Sequence, residues 1–158
     1  MTGGIALAWA RIEGAHLVDL IDQFLELIQD TKIGADAALS RLTPAVYPDD
    51  DAASAEFAAA TSADLLDRRA ADARVVRAGI APLLTGPPEE TIDLRLSPAE
   101  LEAWLRTLAA LRLVIAGRLG VSGDDRHDPD DARFGVYDWL GYRLDVLVES
   151  AEEGDGEL

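Results

Sequence analysis

Apolar residues recur at helical spacing through most of this 158-residue sequence, and that periodicity limits the chain to a mainly helical fold. In the clearest case, six apolar residues keep helical spacing while acidic and amide residues lie on the other side: Leu17, Leu20, Ile21, Phe24, Leu27 and Ile28. A stripe of this kind buries one side of a helix against a core. Similar patterns over 98–119 and about 134–151 predict two more helices, enough to enclose one domain core.

The segment Ser97-Pro98-Ala99-Glu100 is the clearest helix start in the sequence. Serine at the N-cap and an acid three residues later satisfy exposed N–H groups, and proline at the first helical position lacks the N–H that would need a partner. We predict that this helix extends through Leu119 and ends at Gly120.

The middle of the chain is predicted to hold shorter helices. One of the acids at 49–51 caps a first helix, and Thr61 with Asp64 forms a capping box for a second that runs to about Ile80. A further short element is predicted at 36–42. The expected total is five or six helices.

Two short segments alternate apolar residues with others, which is typical of strands. The apolar positions are Ile5, Leu7 and Trp9 in the first segment, and Ile92, Leu94 and Leu96 in the second. We predict that they pair as a minor two-stranded antiparallel ribbon. The expected fold class is therefore mainly α, a single-domain bundle of five or six helices over 1–151. The acidic segment 152–158 is predicted to be a disordered tail.

The sequence carries 30 acidic residues against 14 basic ones, a net charge of −16. Such a field repels phosphate backbones and anionic lipids, so we expect neither nucleic-acid nor membrane binding. The absence of cysteine excludes disulfide scaffolds, thiolate metal sites and cysteine nucleophiles, and fits a reducing compartment. Without a recognisable leader or membrane span in the sequence, a cytoplasmic protein is expected.

Familiar catalytic motifs are absent from the sequence, among them G-x-S-x-G, the phosphate-binding glycine loop and H-E-x-x-H. His16 is interpreted as an ordinary surface or capping residue. The loop at 124–131 holds five carboxylates and an imidazole that could attract a divalent cation. It lacks the glycine and glutamate of a calcium loop, which favours a solvated acidic loop. We expect no enzyme activity, no catalytic residue, no metal and no cofactor.

Two arginines fall on apolar helix stripes. Arg112 lies among leucines at the middle of its stripe, and Arg69 has a similar position on the preceding helix. A buried guanidinium needs a carboxylate, for which Glu56 or Asp64 is the first candidate. One interpretation is a structural ion pair or an arginine at the edge of the stripe. The other is an anion or peptide-carboxylate pocket lined by both arginines.

The last predicted helix carries two apolar stripes on opposite sides. The second of them consists of Trp139, Tyr142 and Val146. One stripe is enough to dock a helix, so the second indicates an interface or a helix buried on both sides. The interface interpretation predicts a homodimer or a protein partner, with Trp139 as its anchor.

Several motifs together carry a resemblance to a known family. Among them are RLTPAVYPDD at 41–50, Ala103-Trp104-Leu105, Arg118-Leu119-Gly120 and Tyr137-Asp138-Trp139-Leu140. Over nearly its whole length the chain resembles an actinobacterial family of unknown function, DUF2017. That family has no established activity or catalytic residues to carry over. Its genes commonly lie beside the gene for the ClpS-type adaptor of the Clp protease, and some members carry the label of transcriptional regulator.

Together these observations predict a non-enzymatic interaction or regulatory protein, with a link to the ClpS-type adaptor that the resemblance implies. The alternative is a DNA-binding transcriptional regulator. Its best footprint would be the predicted helix ending near Ile80, where four arginines outnumber three aspartates.

Overall fold

Two strands and four α-helices make up the part of the chain that the structure, a computed structural model, describes: residues 4–30, 52–120, 130–131 and 134–156. The elements are β1 (Ile5–Ala10), α1 (Arg11–Asp30), α2 (Ala52–Ile80), β2 (Thr91–Leu96), α3 (Pro98–Leu119) and α4 (Gly135–Gly156), with a 3-10 turn at Ala81–Leu83. The predicted mainly helical class with a small sheet is confirmed.

The strands β1 and β2 pair in antiparallel fashion. The register runs from Ile5 opposite Leu96 to Ala10 opposite Thr91. Alternation along a strand places every second side chain on one face. The core face therefore receives Leu7, Trp9, Leu94 and Leu96, all buried. The predicted ribbon is confirmed.

The first helix follows β1 without an intervening loop, and the turn before β2 fixes its start. The backbone N–H of Arg11 donates to the carbonyl of Glu90 at 2.9 Å, and that of Ile12 donates to the carbonyl of Pro88 at 3.0 Å. The first N–H groups of a helix have no partner within it. These bonds supply partners and hold the start of α1 beside the sheet.

Two tryptophans lie at the centre of the core. Trp9 on β1 and Trp104 on α3 are 1% and 0% exposed, and their ring centroids are 5.4 Å apart. The same cluster includes buried residues from the helices: Leu17, Ile21, Val76, Ile80, Leu108, Leu140 and Leu147. Helix α2 packs on both α1 and α3, and α3 packs on α4.

The structure corrects the predicted division of the middle of the chain. Separate helices meeting at Thr61 are wrong, because one helix runs from Ala52 to Ile80. The Thr61 hydroxyl donates to the carbonyl of Phe57 at 2.9 Å, one turn earlier in the same helix. The described residues hold four α-helices, so the count of five or six is not matched. The short element predicted at 36–42 lies outside the described residues.

Helix α3 begins and ends as predicted, whereas α4 runs further. The Ser97 hydroxyl accepts from the N–H of Glu100 at 3.1 Å, and the Glu100 carboxylate accepts from the N–H of Ser97 at 3.1 Å. Gly120 ends α3 with a left-handed φ of 74°. Helix α4 continues to Gly156, into the segment from Glu152 that was predicted to be disordered.

Candidate binding cleft

The carboxylate of Glu13, in the first turn of α1, accepts hydrogen bonds from β1 and α4. The backbone N–H of Ala10 donates to Oε1 at 3.0 Å, and the indole N–H of Trp139 donates to Oε2 at 2.9 Å. Arg143 adds a two-pronged contact in which Nε donates to Oε2 at 2.8 Å and Nη2 donates to Oε1. A carboxylate offers about four acceptor positions, so those of Glu13 are all in use.

Arg143 is held on its other side by β1. Its Nη1 donates to the carbonyl of Ala8 at 3.1 Å, and its guanidinium carbon lies 4.1 Å from the ring centre of Trp9. The side chains of Arg143 and Glu13 are 13% and 20% exposed. A bidentate pair shielded in this way is stronger than a surface ion pair. Glu13, Trp139 and Arg143, here named the Glu13 cluster, fasten α4 to the junction of β1 and α1.

The Glu13 cluster also sets the acidity of its carboxyl group. Burial raises the pKa of Glu13, but the hydrogen bonds from Arg143, Trp139 and Ala10, together with the charge of Arg143, lower it by more. The pKa of Glu13 therefore lies below the usual value of a glutamate. The group is ionised at neutral pH, which suits a structural ion pair.

An open cleft of about 320 Å³ lies beside the Glu13 cluster, between α1 and α4. It is lined by Glu13, His16, Asp19, Leu20 and Gln23 from α1 and by Gly135, Val136 and Trp139 from α4. Five of these residues are exposed, including Asp19 and Val136. One part of the wall is apolar and the other carries acidic, imidazole and amide groups, so the cleft offers two kinds of contact.

The two helices that form the cleft carry most of the negative charge of the described helices. Helix α1 contains five carboxylates and one arginine, and α4 contains six carboxylates and one arginine. By contrast, α2 has four of each, and α3 has two carboxylates and three arginines. Both arginines on the acidic side are already paired, Arg11 with Glu90 at 2.7 Å and Arg143 with Glu13. Of the carboxylates, Asp22 is also paired, with Arg77 of α2 at 2.6 Å, and Asp145 lies in a separate hollow beside Arg112. The cleft therefore lies between the two most acidic of the described helices, and Asp19 is its carboxylate outside the Glu13 cluster.

Arg69 forms an ion pair within its own helix. Its Nη1 donates to Asp72 Oδ2 at 2.9 Å, and the same oxygen accepts from Nε of Arg106 on α3 at 2.8 Å. Asp72 thus joins α2 to α3. This arrangement supports the interpretation of Arg69 as a structural ion-pair residue.

Arg112 faces α4, and the two carboxylates expected beside it lie elsewhere. Its guanidinium carbon is 4.0 Å from the ring centre of Tyr137. Glu56 is exposed on α2, and Asp64 accepts from Arg68 at 2.8 Å on the surface of the same helix. The structure therefore brings neither Glu56 nor Asp64 to Arg112, since the stripe position of Arg112 points to a different neighbouring helix.

The second stripe of α4 is only partly exposed. Tyr142 is 61% exposed, whereas Trp139 and Val146 are partly buried against the main core. Trp139 packs edge-on against Trp9, with ring centroids 6.4 Å apart. The stripe is therefore not one continuous exposed surface. Trp139 is anchored within its own chain and contributes a wall of the cleft.

Metal binding and membrane spanning were assessed for the described part of the chain. No group of three or more His, Cys, Asp or Glu residues there is arranged to hold a metal ion. Only 130–131 of the acidic loop 124–131 belongs to that part. None of the helices that the structure describes is long and apolar enough to cross a membrane.

The Glu13 cluster was not predicted from the sequence. A local signal existed, because Glu13 stands three residues after Ala10, the spacing at which a glutamate accepts the N-cap N–H. The pairing with Arg143 spans 130 positions, and no local pattern indicates it.

Comparison with known proteins identifies the family of the chain. No curated protein and no solved structure matches it. The family model described as "Domain of unknown function (DUF2017)" matches residues 1–151, which include both strands and both walls of the cleft. The chain therefore belongs to the DUF2017 family.

Proposed function

We propose that this protein acts in the cytoplasm by binding a protein partner, not by catalysis, and that the cleft between α1 and α4 is the binding site. The observation that carries this proposal is the position of the open cleft between the two most acidic of the described helices. Concave, partly apolar sites with a few polar groups are the usual binding sites of proteins, and charge complementarity selects their partners.

The state of Glu13 supports binding more than chemistry. Donors from the chain itself occupy both of its oxygens, and its pKa is lowered. Such a carboxylate is poorly suited to transfer protons at neutral pH. It does fasten one cleft wall to the other. A preformed cleft loses less conformational freedom when a partner binds.

The first partner to test is the ClpS-type adaptor of the Clp protease, because of the gene neighbourhood of DUF2017 members. A second copy of this chain is a weaker candidate. Two chains with a net charge of −16 repel each other, most of all where their acidic helices α1 and α4 would meet.

Affinity capture from native lysate tests the proposal with three full-length baits. They are the wild type, a cleft variant (Asp19→Asn with Val136→Ser) and a control variant on α2 (Asp67→Asn with Val75→Ser). The control removes the same groups at comparable exposure, since Val136 is 45% and Val75 is 42% exposed.

We expect the wild type and the control variant to capture the same partner and the cleft variant to lose it. Circular dichroism and thermal melting should show all three baits equally folded, because each change lies at an exposed position. Undiminished capture by the cleft variant would contradict the proposal. A purified ClpS-type adaptor, mixed with the same three proteins, tests the named partner separately.

A further inference from the structure

We infer that the cleft seats one arginine or lysine side chain from a basic segment of the partner protein. This inference rests on the proposed function and specifies the chemistry of the same site. The juxtaposition that points to it is an apolar wall of Leu20, Val136 and Trp139 beside the exposed carboxylate of Asp19.

Long basic side chains are amphipathic, and the cleft matches both of their parts. The aliphatic stem of an arginine or lysine covers apolar surface while its charged head stays near water or a carboxylate. In the cleft the stem would lie along Val136 and Leu20, and the head would reach Asp19. The ring of Trp139 adds a surface on which a guanidinium or ammonium group stacks favourably.

The openness of the cleft favours a side chain of a larger partner over a free small molecule. Small-molecule sites cover most of their ligand and enclose about 300–1,000 Å³. This cleft, at about 320 Å³, lies at the lower end of that range, and His16, Gln23 and Gly135 are among its exposed lining residues. A side chain carried by a peptide would occupy the cleft while the peptide backbone covers its open side.

Charge selects a basic segment in particular. The negative charge of α1 and α4 includes exposed carboxylates such as Asp19, Glu26 and Glu149, whereas Asp22 is paired with Arg77 of α2. Glu13 also lines the cleft, but Arg143 balances its charge and its acceptor positions are in use, so the charged head of the partner is assigned to Asp19. A basic segment would be drawn to these helices before contact and would be held by Asp19 after it. An acidic segment would be repelled.

The test uses two blocked pentapeptides added to the full-length, nitrogen-15-labelled protein at low ionic strength. One has the sequence Ala-Arg-Ala-Arg-Ala. The other carries citrulline in place of both arginines, which keeps the shape of the side chain and removes its charge. The readouts are the NMR shifts of the His16, Asp19 and Val136 amides and of the Trp139 indole N–H.

The arginine peptide is expected to shift these four signals together, in a salt-sensitive way, and the citrulline peptide is expected to bind several-fold more weakly. Asp19→Asn should weaken the binding of the arginine peptide by about two- to fivefold, the range expected for the loss of an exposed ion pair. The matched change Asp67→Asn on α2 should leave its affinity unchanged.

Three results would overturn the inference: no shift at the cleft, equal binding of the citrulline peptide, or equal binding by the Asp19→Asn protein. Any of them would leave the proposed function standing if the cleft variant still loses its partner in the capture experiment. Failure of the capture experiment would instead remove the proposed function itself.

Discussion

At the scale of single residues, Glu13 connects α1, β1 and α4 through one carboxylate. The ion pair with Arg143 is largely withdrawn from water, and Trp139 and the Ala10 N–H use the remaining acceptor positions. Hydrogen bonds to charged groups contribute about 1.5–3 kcal/mol, more than neutral ones. Glu13 is therefore expected to contribute strongly to stability and to the shape of the cleft.

Glu13→Gln should lower the free energy of unfolding by about 1.5–3 kcal/mol, because it removes the charge that Arg143 needs and leaves a largely buried guanidinium poorly paired. Urea denaturation followed by circular dichroism measures the change. The control Glu90→Gln removes the exposed partner of Arg11 and should cost less than about 1 kcal/mol. Equal losses in the two variants would contradict the role of the Glu13 cluster.

The same residue predicts a pH dependence. The pKa of Glu13 is lower in the folded protein than in the unfolded chain. The stabilisation is therefore fully present at pH values above about 4.3, the ordinary pKa of a glutamate. It is lost as the pH falls through the lower pKa of Glu13 in the folded protein. Glu13→Gln should make the loss of stability in acid shallower than in the wild type. An unchanged acid profile, measured by urea denaturation at a series of pH values, would contradict this.

Contacts between residues close in sequence could be predicted, whereas contacts between residues on different helices could not. The capping box of Ser97 and Glu100 could be read because both partners lie within one helical turn. The position of Arg112 within the apolar stripe of α3 could likewise be predicted from the spacing of residues along that helix. Its neighbour, Tyr137, depends on how α3 packs on α4 and so could not be read from the periodicity of one helix.

At the scale of elements, close packing at Gly14 sets the position of α1 against the turn after α2. A Cβ atom at Gly14 would lie 2.6 Å from Cβ of Leu83 and 3.3 Å from Cγ2 of Ile80. Both neighbours are buried, so neither can move aside freely. Glycine is required here by close approach and not by backbone conformation.

Gly14→Ala should destabilise the protein, although alanine favours helix by about 1 kcal/mol over glycine. Overpacking a core contact costs about 1–3 kcal/mol, which offsets or exceeds that gain. The matched change Gly135→Ala in α4 meets no atom within 4 Å and should be neutral or slightly stabilising. Thermal melting compares the two. A higher melting temperature for Gly14→Ala than for the wild type would contradict the packing argument.

Element types were more predictable than element boundaries. The alternation of Leu7 and Trp9 with alanines indicated a strand and its burial. The pair Thr61 and Asp64 is compatible with a helix start and also with the interior of a helix. In the interior, the threonine hydroxyl can bond the carbonyl one turn earlier. The segment before Thr61 is rich in alanine, and Phe57 in it is 75% exposed, so helix propensity and not packing carries α2 through Thr61.

At the scale of the whole molecule, charge is divided between an acidic side and a nearly neutral one. Helix α2 carries the arginines that would be the best candidates to contact nucleic acid. Three of them already form ion pairs with carboxylates: Arg68, Arg69 and Arg77. Guanidinium groups engaged in this way are less available to phosphates, and the net charge of −16 opposes approach.

We therefore expect no retardation of generic duplex DNA by micromolar protein near physiological salt. A gel-shift assay measures this, with a basic DNA-binding protein as the positive control. A salt-sensitive shift that disappears when Arg68 and Arg74 are replaced by Ala would contradict this expectation. It would favour the alternative of a DNA-binding regulator.

If the protein works as proposed, the cleft between α1 and α4 is the surface that contacts a partner. Site-specific photo-crosslinking tests it most directly, with the crosslinking amino acid placed at Val136 in one protein and at Val75 on α2 in another. Both positions are exposed to a similar degree. We expect one specific crosslinked protein from Val136, which is absent from Val75 and is reduced by Asp19→Asn. The same crosslinks from both positions, or crosslinks from Val75 alone, would contradict it.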